Sequence, residues 1–130
     1  MPTLSALVSR DPIRCLPYGV SGSAKTTLIG MMALHEELRP IYIFDFDLRI
    51  SSLRVRIPKD CWDFIESDPY RDSRVPGEAF TLAEYKLGQL DPKKFKTVAV
   101  DSGTFMGDAV MARVLALDGK SVTSTPQLQH

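Results

Sequence analysis

The stretch Tyr18-Gly19-Val20-Ser21-Gly22-Ser23-Ala24-Lys25-Thr26-Thr27 decides how the rest of the chain is interpreted. It nearly matches the phosphate-binding loop pattern, in which a glycine, four variable residues and a second glycine precede Lys-[Ser/Thr]. Gly19, Lys25 and Thr26 stand in register with that pattern, while alanine occupies the position of the second glycine. The stretch therefore predicts a loop that binds phosphate groups.

Such a loop would surround a triphosphate with backbone N–H donors, a cation and a hydroxyl group. Lys25 would reach the β- and γ-phosphates, and Thr26 would ligate magnesium from the first turn of the next helix. If Ala24 needs a left-handed backbone, its methyl group costs about 1–2 kcal/mol. A plain glycine- and serine-rich turn before a helix is the alternative. The predicted nucleotide-binding residues are Gly19, Val20, Ser21, Gly22, Ser23, Ala24, Lys25, Thr26 and Thr27.

The residues around the loop indicate a strand before it and a helix after it. Residues 13–16 form a short β-prone run. Apolar residues recur near helical spacing over 26–38, which predicts a helix that Pro40 ends. The run Ile41-Tyr42-Ile43-Phe44 is typical of a strand buried on both faces of a parallel sheet. It ends in Asp45-Phe46-Asp47, at the sheet edge where open α/β folds bind ligands.

A second apolar run, Thr97-Val98-Ala99-Val100, is followed by Asp101 and Ser102. This order matches a Walker B strand, in which the aspartate holds magnesium through its water shell. We therefore expect Thr26 and Asp101 to form the metal site. An ordinary turn-forming aspartate at the end of a strand is the alternative.

The remaining segments complete the predicted architecture. The alternation over residues 48–60 predicts an exposed edge strand with a basic face, and residues 62–65 predict a short strand closed by Ser67-Asp68-Pro69. Helices are expected from Phe80 to Leu90 and over 104–118, the second capped by Gly119. The predicted organisation is a lead-in over 1–12, a core over 13–119 and a polar tail over 120–130.

Composition fits one globular domain, since 44% of the 130 residues are hydrophobic and 25% are charged. Sixteen basic and sixteen acidic residues cancel, so overall charge supports neither a nucleic-acid footprint nor a polybasic membrane surface. Cys15 and Cys61 lie in apolar company without metal-ligand spacing and predict buried free thiols in a reducing compartment. No apolar run approaches the length of about 20 residues that spans a bilayer, so we expect a cytoplasmic protein and no membrane partner.

Three segments together, Gly19–Thr27, Phe44–Asp47 and Val98–Ser102, resemble the RecA-like branch of P-loop ATPases. In their residues they look most like AAA-type ATP-binding proteins of bacteriophages. Some proteins of that group are single-strand annealing or recombination proteins. The resemblance implies a three-layer α/β P-loop NTPase sandwich with a mostly parallel sheet, binding ATP and Mg²⁺ in the host cytoplasm. It also implies that an acidic residue, Asp47 or Asp45 here, polarises the attacking water.

The same resemblance implies further strands after the Walker B helix, so the chain is expected to be a truncated or partner-completed core. Its implied partners are other copies of the chain, single-stranded DNA or phage recombination proteins. The ParA/MinD partitioning ATPases are also similar, but their extra lysine five residues before the loop lysine is Val20 here. A nucleotide-binding scaffold without turnover is the alternative function, and a small kinase is a third option that lacks a visible arginine-rich lid.

Overall fold

The computed structural model describes residues 12–20 and 22–119, which form an α/β unit. Its helices are α1 (Lys25–Met31), α2 (Glu78–Gln89) and α3 (Gly103–Leu117), and its strands are β1 (Ile41–Asp45), β2 (Ile65–Pro69) and β3 (Thr97–Asp101). Short 3₁₀ helices cover Met32–Leu34, Ile50–Val55 and Lys59–Phe64. Among the described residues, no helix is long and apolar enough to cross a membrane.

The three strands form one parallel sheet in the order β2-β1-β3. Ile41 lies opposite Ile65 on one side and Thr97 on the other, and this register continues to the strand ends. Asp45 is therefore aligned with both Pro69 and Asp101. The carboxyl ends of all three strands meet at one edge of the sheet.

Strand β1 supplies the core of both faces of the sheet, because every one of its five residues is buried. On one face, Ile41 and Ile43 pack with residues of α1 and of the 3₁₀ helices. On the other face, Tyr42 and Phe44 pack with residues of α2 and α3. The predicted doubly covered parallel strand and the α/β class are confirmed.

Helices α2 and α3 confirm the helices predicted over 80–90 and 104–118, and Gly119 has the positive φ of 70° expected of a cap glycine. The helix predicted over 26–38 is shorter, because α1 and its 3₁₀ extension end at Leu34 and His35 is extended. The strand predicted over 62–65 is wrong for residues 62–64, which belong to the 3₁₀ helix Lys59–Phe64. Residues 67–69, predicted to close that strand, belong to β2. Pro69 is tolerated there because β2 is an edge strand, where a residue without a backbone N–H group need not break the hydrogen bonding of the sheet.

The strand predicted at residues 13–16 is wrong. Residues 12–19 have no regular secondary structure, and Ile13 and Leu16 are 89% and 85% exposed. Cys15, predicted to be buried, is exposed as well, whereas Cys61 is buried as predicted. A four-residue strand is stable only if it pairs with a neighbour and buries one face, and this segment does neither. Residues 1–11 of the lead-in predicted over 1–12 lie outside the described residues, as does the tail predicted over 120–130.

The exposed edge strand predicted over 48–60 is also wrong, because this segment forms 3₁₀ helices. Leu53 and Ile57 are buried and both pack in the cluster that contains Ile29 of α1. In a strand, Val55 would share the face of Leu53 and Ile57, but that residue is 88% exposed. Burial of this pair on α1 therefore overrides the alternating pattern.

We predict that Gly77→Ala destabilises the fold by about 2–4 kcal/mol, combining a left-handed backbone with overpacking. Gly77 precedes α2 with a φ of 77°, and an added Cβ would lie 2.6 Å from the Arg113 backbone nitrogen of α3. The control is Gly88→Ala within α2, where an added Cβ meets nothing within 4 Å. Urea unfolding should show a loss for the first variant and a gain of about 0.5–1 kcal/mol for the second. Equal stabilities of the two variants would contradict the close approach of Gly77 to Arg113 of α3.

Candidate functional site

A cleft of about 540 Å³ lies at the carboxyl edge of the sheet, between the loop before α1 and the segments that follow β1 and β3. The loop and α1 contribute Gly19, Gly22, Ser23, Ala24, Lys25, Thr26 and Thr27. The other lining residues are Asp47, Arg49, Ser52, Arg56, Asp101, Ser102, Thr104 and Phe105. Lysine and arginine thus share this cleft with two carboxylates.

The side chains of Thr26 and Asp101 meet in this cleft. The hydroxyl group of Thr26 donates a hydrogen bond of 2.7 Å to Asp101 Oδ2, although the two residues are 75 positions apart. Asp101 is 4% exposed at the end of β3, and Thr26 lies in the first turn of α1. The packing of the loop against the sheet therefore brings together the two predicted metal-site residues.

Thr26 and Asp101 could hold a metal ion only as part of a ligand set. Among the described residues, no group of three or more His, Cys, Asp or Glu side chains is arranged to hold a metal ion. Magnesium keeps several waters and is usually bound through one or two protein oxygens plus substrate phosphates. Thr26 and Asp101 can supply such a partial set of oxygens.

Lys25 is folded back over its own loop. Its Nζ atom donates to the carbonyl oxygens of Gly19 at 2.8 Å and Val20 at 2.9 Å, and to Ser23 Oγ at 3.2 Å. An ammonium group has three donors, so these contacts use all of them. An anion that binds Lys25 must replace at least one of these contacts.

Ala24, which stands at the second glycine of the phosphate-loop pattern, has a left-handed backbone with φ 63° and ψ 28°. For a residue with a Cβ atom this conformation costs about 1–2 kcal/mol. Its carbonyl group nevertheless accepts a hydrogen bond from the Leu28 backbone at 3.0 Å, which begins α1. Ala24 therefore allows α1 to begin directly after the loop, at a cost in stability.

The remaining predicted loop residues fall in three places. Thr27 lines the cleft, whereas Val20 contributes its carbonyl oxygen to Lys25. Ser21 lies outside the described residues.

The structure separates the two candidate catalytic carboxylates. Asp47 lines the cleft, and its Oδ1 atom lies 3.7 Å from Arg49 Nε. Its backbone N–H donates to the Asp101 carbonyl oxygen at 3.0 Å, which holds it beside β3. Asp47 is thus the one of the two that adjoins the space available to a ligand.

Asp45 has a different environment, since it is 2% exposed and does not line the cleft. Its Oδ1 atom accepts a hydrogen bond of 2.8 Å from the Leu48 backbone, and Leu48 has a left-handed φ of 59°. Burial raises the pKa of Asp45, the backbone N–H groups of residues 48–50 oppose this, and the charge of Asp101 raises the pKa further. The position of Asp45 indicates that it organises the turn that carries Asp47.

Sequence reasoning missed the cleft-lining roles of Arg49, Ser52 and Arg56, because it assigned their segment to an edge strand. Their separations of three and four residues match one face of a helical segment. That spacing was the available signal. Thr104 and Phe105 carried no comparable signal, since they were seen only as the start of a core helix.

Comparison of the chain with protein-family models, curated proteins and solved structures finds no match. The candidate function is therefore argued from the geometry of the cleft and from the resemblance of the three sequence segments.

We predict that Asp45→Asn reduces the loss of stability that the protein undergoes as the pH rises above 3.8, the ordinary pKa of this group. A carboxyl group whose pKa is raised by folding stabilises the fold fully below its unfolded pKa, and this contribution is lost as the pH rises through the folded pKa. Asparagine keeps an acceptor for Leu48 but has no charge to bury.

Urea unfolding between pH 3 and 8 measures this effect. The difference in unfolding free energy between Asp45→Asn and the wild type should move in favour of the variant with increasing pH. Asp91→Asn is the control, because Asp91 is an exposed carboxylate that also accepts a backbone hydrogen bond, from Lys93. A constant difference across this pH range would contradict the burial penalty at Asp45.

Proposed function

We propose that the chain is a RecA-like P-loop NTPase core that binds ATP with Mg²⁺ in this cleft and hydrolyses it. The observation that carries the proposal is the 2.7 Å contact between Thr26 and Asp101. It joins the hydroxyl group of a phosphate-loop pattern to the carboxylate of a Walker B pattern. A plain glycine- and serine-rich turn at this edge of the sheet would not require a contact between these two side chains.

The chain's own residues would divide the work of binding. Lys25 would exchange its contacts with Gly19, Val20 and Ser23 for oxygens of the β- and γ-phosphates. The N-terminus of α1 would add backbone N–H donors and a favourable dipole. Thr26 and Asp101 would hold Mg²⁺, directly and through water respectively, and the bound ion would neutralise charge on the phosphate oxygens.

Hydrolysis would be an in-line attack of water on the γ-phosphorus, with the bond to the β–γ bridging oxygen breaking and ADP leaving. Asp47 is the proposed residue that orients the attacking water and accepts its proton, because it adjoins the cleft. Asp45 is not proposed for this role, because it is buried and its Oδ1 is occupied by Leu48. Catalysis would come from positioning and charge stabilisation.

Binding would change the local structure, because ATP and Mg²⁺ compete for the contacts of Lys25 and Thr26. These changes are the proposed start of a conformational response to nucleotide. The implied setting is phage DNA recombination or replication, with other copies of the chain, single-stranded DNA or recombination proteins as partners. This part of the proposal rests on the sequence resemblance.

A nucleotide-binding scaffold without turnover is the second candidate. The contact of Asp47 with Arg49 favours it, since a carboxylate that is paired with a cation is less free to orient a water molecule. The two candidates share the binding site and differ in whether phosphate is released.

We predict that Lys25→Ala abolishes measurable ATP binding while leaving unfolding by urea largely unchanged. The variant loses a lysine of the cleft lining whose amine, among the described residues, contacts its own loop. Calorimetric titration with ATP and Mg²⁺ gives the affinity. The control is Lys93→Ala, which removes an exposed lysine outside the cleft lining. Equal affinities for the two variants would remove the proposed function.

We predict that Asp47→Asn lowers the rate of phosphate release by about 10²-fold or more, the range expected for loss of a positioned general base. The dissociation constant for a non-hydrolysable ATP analogue should change little, since the amide preserves shape. Asp63→Asn, which removes an exposed carboxylate outside the cleft lining, is the control. Binding by the wild type without any phosphate release would support the scaffold instead.

A further inference from the structure

We propose that Arg56 is the in-chain cation that binds the terminal phosphate of the nucleotide, so the cleft needs no arginine from another subunit for this contact. The inference rests on the proposed function and extends it by naming a charge-stabilising residue. The feature that leads to it is the wall of the cleft formed by Arg49, Ser52 and Arg56.

These three residues lie on the cleft side of the 3₁₀ helix Ile50–Val55 and its flanks. Arg56 is the residue at which this helix ends, and its backbone N–H donates to the Leu53 carbonyl oxygen at 3.0 Å. Arg54, although it lies in the same helix, does not line the cleft, and its guanidinium carbon is 6.0 Å from the ring centroid of Trp62. Arg56 therefore lies at the cleft, whereas Arg54 lies near Trp62.

The position of Arg56 is fixed relative to the phosphate loop by close packing. Its neighbours Leu53 and Ile57 are 4% and 3% exposed. Both contact Gly30 of α1, where an added Cβ would lie 2.7 Å from Leu53 Cδ2 and 3.3 Å from Ile57 Cγ1. Because α1 begins with Lys25 and Thr26, the segment that carries Arg56 packs against the same helix that follows the phosphate loop.

The charges of the cleft leave a role for this arginine. The amine of Lys25 is satisfied within its loop, and Arg49 lies within ion-pair distance of Asp47. Within residues 12–20 and 22–119, the side chain of Arg56 makes no hydrogen bond or ion pair. Its guanidinium group is thus available to an anion in the cleft.

A guanidinium group suits a phosphoryl group because its planar donors bind two oxygens at once. During hydrolysis, negative charge shifts towards the β–γ bridging oxygen and remains on the γ-phosphoryl oxygens. Arg56 would stabilise that charge without donating a proton, since the water proton passes to Asp47 or to the phosphate product. A contact with the γ-phosphate is absent in the ADP complex, so the contact should distinguish the two nucleotides.

We predict that Arg56→Ala weakens binding of the non-hydrolysable analogue AMP-PNP about 10-fold or more, the loss expected for one charge-assisted contact, while ADP affinity changes less than about 3-fold. Calorimetric titration of the full chain in the presence of Mg²⁺ gives both constants. Arg54→Ala is the matched control and should behave as the wild type with both nucleotides. Arg56→Lys should recover part of the lost affinity, because it restores charge but not the planar fork.

An unchanged ratio of AMP-PNP to ADP affinity in Arg56→Ala would overturn the role of Arg56 while leaving the binding site in place. An equal loss for both nucleotides would also overturn it, since it would mean damage to the whole cleft. Failure of the wild type to bind either nucleotide would remove the proposed function and this inference together. Urea unfolding of each variant identifies any loss that arises from misfolding.

Discussion

The structure depends on a central strand that is buried on both faces. Every residue of β1, including Asp45, is enclosed, and its hydrogen-bonded register with β2 and β3 sets the common edge at which the strands end. The carbonyl oxygen of Asp101 then accepts backbone hydrogen bonds from Phe46 at 2.6 Å and Asp47 at 3.0 Å. The end of β3 thus holds the turn that follows β1, and Asp47 and Asp101 line the same cleft.

The loop before α1 contains a residue in a strained backbone conformation. Ala24 adopts a left-handed conformation that glycine would adopt without strain, yet α1 starts in the expected place and directs Thr26 to Asp101. The strain is local and of the order of one hydrogen bond or two. The tertiary contact at Asp101 and the packing of α1 on the core are the interactions that can offset it.

Burial patterns explain which parts of this architecture could be predicted from the sequence. The continuous apolar run at Ile41–Phe44 and the helical spacing after Phe80 and Gly103 each point to one structure, and both were predicted. The approach of Thr26 to Asp101 followed from two motifs that are read together. Residues 13–16 were misjudged because strand propensity says nothing about whether a pairing partner is present. The segment over 48–60 was misjudged because its packing partner, Gly30, lies far away in sequence.

Gly30 has no functional group, yet its lack of a side chain governs the spacing between two walls of the cleft. Leu53 and Ile57 can approach α1 only because nothing projects from that position. A bulkier residue there would push the arginine-bearing segment outward and change the width of the cleft, without altering any residue that faces it. Chemically inert positions of this kind act as spacers, so the set of residues on which ligand recognition depends extends beyond those that line the cavity.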